Sequence, residues 1–251
     1  MILYFTGTGN SLAVAQQLSV ATGENLMPLS AAANRDLGAE RCVGLVYPCY
    51  DYNTPPAVRN LVERLRLNSE AYVFVVVTCG AQTGNSIYTV RQILKKQGVE
   101  VAYSHKIRMP DNSAPIFGRN PNDQLWKLEK YATRLDTIAA DIKVRRHGHH
   151  FAAPGLAGWL AGLPAVERKL LGGFCPTVDE SRCVGCGTCA AVCPVGNITM
   201  EGKAHMGPNC TACLGCLHAC PKQAVAVGKK TITREQQYRH PKMSLPDLEQ
   251  R

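Results

Sequence analysis

Cys183-Val-Gly-Cys186-Gly-Thr-Cys189-Ala-Ala-Val-Cys193-Pro194 and Cys210-Thr-Ala-Cys213-Leu-Gly-Cys216-Leu-His-Ala-Cys220-Pro221 are two copies of one spacing, C-x2-C-x2-C-x3-C-P. Three thiolates on one tight loop can reach three corners of a single iron–sulfur cubane, and this spacing is the run that holds [4Fe–4S] clusters. The fourth cysteine of each run, beyond a short helical turn, points away and serves the other cluster. The spacing therefore predicts cluster I on Cys183, Cys186, Cys189 and Cys220, and cluster II on Cys210, Cys213, Cys216 and Cys193. Gly185, Gly187, Ala190, Ala212, Gly215 and Ala219 keep the loops slim, so backbone N–H groups can approach the sulfurs.

Structural zinc also uses paired C-x2-C elements, but it takes four ligands and gives no reason for a third cysteine or for Cys-Pro. A 27-residue offset relates Cys183 to Cys210, Cys193 to Cys220, and the apolar run Ile198-Thr-Met200 to Val225-Ala-Val227. Two loop–turn–strand units packed on each other are expected. On these residues the stretch from about Pro176 to Gly228 resembles the bacterial two-cluster ferredoxins. Cys42, Cys49, Cys79 and Cys175 stand outside both runs, without disulfide-like spacing. Thiolate ligation and free thiols imply a reducing, cytoplasmic setting. Only Ile2 to Phe5 are apolar before Thr6, which gives no signal-peptide core. The longest mainly apolar run, from Phe151 to Val166, is broken by Pro154, Pro164 and glycines and is too short for a membrane span.

Residues 1–150 alternate strand and helix patterns, the signature of an α/β parallel sheet with helices on both faces. Strands are expected at Met1–Phe5, Leu26–Leu29, Arg41–Tyr47, Tyr72–Thr78 and Val99–Ile107. The unbroken Tyr-Val-Phe-Val-Val-Val-Thr run marks a central strand covered on both faces. Helices are expected from Ser11 to about Ala21, from Pro55-Pro56 to Leu67, and from Ser86, as cap, through Gln97, where Gly98 ends it. Leu125, Leu128, Ala132, Leu135, Ala139 and Ile142 keep helical spacing along one face of a last helix. The pattern predicts a three-layer sheet of strand order 2-1-3-4-5.

Between the first strand and first helix lies Thr6-Gly7-Thr8-Gly9-Asn10-Ser11. Such a loop aims backbone N–H groups and a helix N-terminus at one point, an anion site. It has no G-K-[ST] and no G-x-G-x-x-G, so neither a Walker site nor a dinucleotide turn is indicated. It resembles the T-x-T-G-x-T phosphate loop of flavodoxins, with Ser11 in the final place, and that resemblance implies FMN. In that fold the flavin ring lies between the loops after the third and fourth strands. Here these supply Pro48, Cys49, Tyr50 and Asn53, and Thr78, Cys79, Gly80, Gln82, Gly84 and Asn85. Tyr50 or Tyr52 would stack on the ring, while Asn53, Gln82 and Asn85 would bond its edge. Cys49 and Cys79 read as small apolar fillers near it.

His147-Gly-His149-His150 follows the last helix beside Arg145-Arg146 and reads as linker rather than metal site. Residues 151–174 form a linker and docking segment, with Leu156, Trp159, Leu160 and Leu163 as its apolar contact. The tail, 229–251, is basic through Lys229, Lys230, Arg234, Arg239 and Lys242, and reads equally as a frayed end or a strap. The formal charge of +9 counts every cysteine as neutral. Two thiolate-bound clusters remove about four units and a flavin phosphate about two, leaving about +3. That removes most support for nucleic-acid binding and leaves a modest basic surface.

A flavodoxin-like domain (1–150) followed by a two-cluster ferredoxin domain (175–228) resembles the fused flavodoxin–ferredoxin electron-transfer proteins of anaerobes. The resemblance also rests on Tyr47-Pro48 and Met109-Pro110-Asp111-Asn112. That family favours glycines in the loop after the third strand, where this chain has Tyr52 and Asn53. The resemblance implies a relay of single electrons between two [4Fe–4S] clusters and FMN, coupling a low-potential donor to an acceptor. The partner expected is an acidic ferredoxin or a reductase subunit. The rival readings are an FMN-dependent reductase of a quinone or nitro compound, kept open by Asp51, and a structural zinc or nucleic-acid-binding module.

Overall fold

The computed structural model describes residues 1–149 and 163–249. Its main sheet contains β1 (Ile2–Tyr4), β2 (Leu26–Pro28), β3 (Cys42–Pro48), β4 (Tyr72–Cys79) and β5 (Val101–Arg108), all parallel and ordered 2-1-3-4-5. A two-residue β6 (Gly148–His149) continues it past β5. Helices α1 (Asn10–Thr22), α2 (Pro56–Val62), α3 (Ser86–Lys96) and α4 (Trp126–Lys143) cover both faces. This is the flavodoxin-like, doubly wound order.

The apolar run of β4 serves two cores. Phe74 and Val76 pack with Leu12 and Leu18 of α1 and Leu135 and Ile138 of α4. Val73, Val75 and Val77 pack with Val58 and Val62 of α2 and Ile87, Val90 and Leu94 of α3. Successive strand residues point to opposite faces, so a strand covered on both must be apolar throughout.

Several expected boundaries move, each for a local reason. Helix α2 stops at Val62, short of Leu67, because Arg66–Leu67 pairs in parallel with Asp36–Leu37. Ser86 is not a cap. Asn85 holds that position without a side-chain bond, and the Ser86 carbonyl accepts from Thr54 Oγ1 at 2.7 Å and Tyr47 Oη at 3.2 Å. The buried stripe of α4 is Tyr131, Leu135, Ile138, Ala139 and Ile142, while Leu125 and Ala132 are exposed. The expected histidine linker enters the sheet: Gly148 and His149 pair with Tyr103 and Ser104, and Tyr72 Oη donates to Arg146 O at 2.8 Å. His150, Leu156, Trp159 and Leu160 lie outside the described residues. The expected docking segment contains helix α5 (Pro164–Gly172), pinned to α2 by the Arg59 guanidinium forked on Glu167 at 2.6 Å to each oxygen.

The C-terminal part is built from two hairpin-like ladders. Strand β7 (Pro176–Val178) pairs antiparallel with β10 (Val225–Val227), and β8 (Ile198–Glu201) with β9 (Lys203–Met206). Single helical turns stand at Thr188–Ala191 and Gly215–Ala219, 27 residues apart in start. The backbone repeats more faithfully than the sequence. Gly185, Gly187 and Gly196 have φ of 70°, 76° and 60°, and their counterparts Ala212, Leu214 and Gln223 have φ of 57°, 60° and 47°. The second unit thus holds three side chains in the left-handed region, which costs about 1–2 kcal/mol per residue.

The tail is a strap, not a frayed end. Tyr238, His240, Met243 and Leu248 are buried, and Met243 and Leu248 join the core shared by α1 and α4.

Candidate functional site

The eight cysteines of the two runs are distributed around two cavities in the pairing expected from the spacing. One is lined by Cys183, Cys186, Cys189 and Cys220, with Val178, Met200 and Val225 as apolar walls. The other, of about 200 Å³, is lined by Cys193, Cys210, Cys213 and Cys216, and also by Cys175. Among the described residues no three His, Cys, Asp or Glu side chains converge on a point suited to a single metal ion. The thiols surround spaces, as a cubane requires. Backbone amides already aim at several sulfurs: Asn197 N at Cys193 Sγ (3.2 Å), Ala212 N at Cys210 Sγ (3.4 Å) and Ala224 N at Cys220 Sγ (3.2 Å).

Burial sets the electrostatics of these thiols. It pushes Cys210 up to about 11, Cys213 up to about 12 and Cys216 well above the usual thiol value. Cys186 is exposed and moves the other way, because the Thr188 hydroxyl, at 3.4 Å, supports its thiolate. Burial disfavours these thiolates, and binding to a cationic metal centre, with the proton released to solvent, would favour them. The second cavity is therefore the more secluded, and the first lies nearer solvent.

The Thr6–Ser11 loop runs from β1 into α1. Gly9 takes φ 95° at the N-cap position, and its N–H donates to Thr6 Oγ1 at 3.1 Å. Ser11 Oγ meets Thr78 Oγ1 at 2.8 Å, which ties the loop to the end of β4. Among the described residues no acceptor meets the N–H groups of Gly7, Thr8, Asn10 or Ser11. Orphan donors at a helix N-terminus suit an anionic group such as a phosphate. A cavity lies over the cradle they form, walled by this loop and by Pro48, Cys49, Tyr50, Thr78, Cys79, Gly80 and Met109–Asn112.

A second space of about 100 Å³ adjoins it through the shared residues Cys49, Tyr50, Asp111 and Asn112. Its far wall is Phe117, Leu171, Phe174, Ala212 and Leu214, so it reaches the loop that bears Cys213. Tyr50 stands between the two domains, half-buried, with its hydroxyl buried and unpartnered among the described residues. Burial, and then the nearby Cys213 and Cys210 thiols, hold that phenol neutral. An orphan hydroxyl and orphan amides along one continuous space fit a flavin. Burial also keeps Cys49 protonated and pushes Cys79 up to about 11, in line with their reading as fillers. Asp51, half-buried in the second space, is raised by burial and then by Glu167 and Asp111.

Other residues named from the sequence stand away from this cradle. Asn53 Oδ1 accepts from Thr54 N and Thr89 Oγ1. Gln82 is exposed and accepts from Lys106 Nζ at 2.7 Å. Gly84 lies against the Tyr52 backbone, and Asn85 N donates to Tyr52 O at 2.8 Å. The two loops thus close on each other there. Of Tyr52 and Asn53, which stand where the resembled family favours glycines, Tyr52 adopts φ of 60°, and its neighbour Asp51 adopts 44°. Met109–Asn112 enters the wall instead, at the carboxyl end of β5; Met-Pro-Asp-Asn after a strand was its only sequence signal.

The domains meet at the phosphate loop itself. A Cβ on Gly7 would lie 2.6 Å from Cys213 O, and Asn112 Nδ2 donates to that carbonyl at 3.0 Å. From the other side the strap closes in: His240 N donates to Thr8 O at 2.9 Å, and Tyr238 Oη to Asn10 Oδ1 at 2.6 Å. No helix among the described residues is long and apolar enough to cross a membrane.

Comparison with known proteins matches residues 176–199 to the 4Fe-4S binding domain family. Two uncharacterized ferredoxins of Methanocaldococcus jannaschii are similar: one is 38% identical over 66 residues, covering 23% of this chain and 42% of its own length. The other is 42% identical over 52 residues, covering 19% and 30%. The chain spans less than half the length of either relative. Among solved structures, the two-electron reduced flavodoxin of Megasphaera elsdenii aligns with 44% of this chain and 88% of its own, at 20% identity and a TM-score of 0.36. By its strand order and its matched cysteine segment, the chain joins a flavodoxin-like domain to a ferredoxin-type 4Fe-4S binding domain.

Proposed function

We propose that the protein relays single electrons between two [4Fe–4S] clusters and FMN. Cys183, Cys186, Cys189 and Cys220 would hold cluster I, and Cys193, Cys210, Cys213 and Cys216 cluster II. Gly7, Thr8, Asn10 and Ser11 would bind the flavin phosphate through their free amides, with Tyr50 and the Ala212–Leu214 loop beside the ring. When bound, the clusters supply one-electron steps and the flavin one- or two-electron steps. The chain fixes distance and orientation: Asn112 Nδ2 donates to Cys213 O, and Gly7 lies so near that a Cβ on it would be 2.6 Å from that oxygen, so the cluster II loop and the flavin cradle share a direct hydrogen bond. That contact is the observation that carries the reading.

Cluster I would be the outer station, because Cys186 is exposed and Lys222, on its cavity wall, is exposed too. With Lys229, Lys230 and Arg234 exposed nearby in sequence, this end suits an acidic redox partner. Metal and flavin analysis of anaerobically isolated protein tests the reading: about eight irons and one FMN per chain are expected. Zinc in place of iron, or no releasable FMN, contradicts it.

A further inference from the structure

Cys175 follows α5 and precedes β7, outside both cysteine runs. Its side chain nevertheless lines the second cysteine cavity, so five thiols surround that space, whereas four surround the first. Thr211 lines the same cavity, 3% exposed and with a hydroxyl lacking any partner among the described residues. The cavity is thus built for an occupant that meets more protein groups than its sister's does. Cys175 Sγ sits 3.6 Å from Leu171 O, and its thiol neighbours that of Cys210.

We infer that Cys175 is a reserve ligand of cluster II, placed to take the iron corner that Cys210 vacates. The inference rests on the two-cluster reading above. In the exchange the Fe–S bond to Cys210 is lost and the Cys175 thiol releases its proton to water. Its thiolate then forms the new Fe–S bond, and a departing Cys210 thiolate takes up a proton. No electron changes hands. Gly172 and Gly173, just before Cys175, give the backbone freedom for the short shift.

The test compares iron content and the reduced-state EPR spectrum of anaerobically isolated variants with the unsubstituted protein. Fewer than about eight irons in the unsubstituted chain would count against the two-cluster reading itself. Given two clusters there, Cys210→Ala retains both, while Cys213→Ala and the double variant Cys175→Ala/Cys210→Ala lose cluster II, half of the iron. Half the iron in Cys210→Ala alone, or full iron in the double variant, overturns the inference. Where Cys210→Ala does not fold, Cys210→Ser takes its place: its cluster II signal should keep the shape of the unsubstituted protein and change in Cys175→Ala/Cys210→Ser, and one and the same altered signal in both variants overturns the inference.

Discussion

His218 Nε2 lies 2.7 Å from Asn112 O, joining the helical turn between Cys216 and Cys220 to the loop that walls the flavin cradle. The ring's other nitrogen accepts from Tyr238 N at 2.9 Å, so one neutral histidine binds ferredoxin turn, flavodoxin loop and strap together. Replacement by Ala leaves two backbone groups without partners, a loss of about 1–3 kcal/mol for each. Chemical denaturation of the His218→Ala protein should show a lowered midpoint, and limited proteolysis should cut between the domains sooner.

Gly7 packs tightly against the Cys213 loop. A Cβ there would sit 2.6 Å from Cys213 O and 3.1 Å from Cys213 Cβ, so the two loops must move apart to admit it. Gly7→Ala should push the cluster II loop from the cradle while leaving both cysteine cages intact. Iron content should hold, and the rate of electron passage between cluster and flavin should fall at least about tenfold, the effect of a 1.4 kcal/mol barrier change.

The strap closes the phosphate loop with two hydrogen bonds, from His240 N and Tyr238 Oη, and with Met243 against Gly9. Truncation after Gly228 removes all three. Two bonds at about 1 kcal/mol each predict flavin release faster by about tenfold or more, read as the growth of free-flavin fluorescence after dilution.

Burial lowers His240 to about 4, so the folded strap holds it neutral. A histidine depressed in the fold contributes stability that is present above its unfolded value of about 6.5 and is lost as pH falls toward about 4. Hydrogen exchange at residues 238–248 should therefore quicken between those pH values, more than elsewhere in the chain. His240→Phe should flatten that dependence.

Ala212 occupies a left-handed position that its counterpart in the first unit fills with Gly185. Ala212→Gly should relieve about 1 kcal/mol of backbone strain, visible as a small rise in the thermal midpoint with unchanged iron. The reverse change, Gly185→Ala, should fail, because a Cβ there meets the Gly202 carbonyl.

Much of this was legible in the residues because the signals were local. The cysteine spacing set the two cages, and the apolar run of Tyr72–Cys79 set a strand covered on both faces. The phosphate loop showed in six residues. What stayed hidden depends on contacts distant in sequence. Nothing in Tyr238 or His240 says that they will lie on Thr8 and Asn10, over 200 positions earlier. Gly148–His149 reads as linker because two residues carry no period, and only the edge of β5 makes them a strand. Asn53, Gln82, Gly84 and Asn85 read as ring contacts, but the Tyr52 and Gly84 backbones pack together, Asn53 and Asn85 are buried beside them, and Gln82 pairs with Lys106 at the surface. The left-handed Asp51 and Tyr52 likewise show backbone shape outlasting the glycines usually chosen for it.

The relay is tested most directly by anaerobic stopped-flow reduction with a low-potential one-electron donor, following cluster bleaching and flavin absorbance together. Clusters bleaching first, then flavin reduction at a rate independent of protein concentration, is the result predicted for cofactors joined through Cys213 and Asn112 within one chain. A flavin phase whose rate rises in proportion to protein concentration would contradict it, because the electrons would then be passing between molecules.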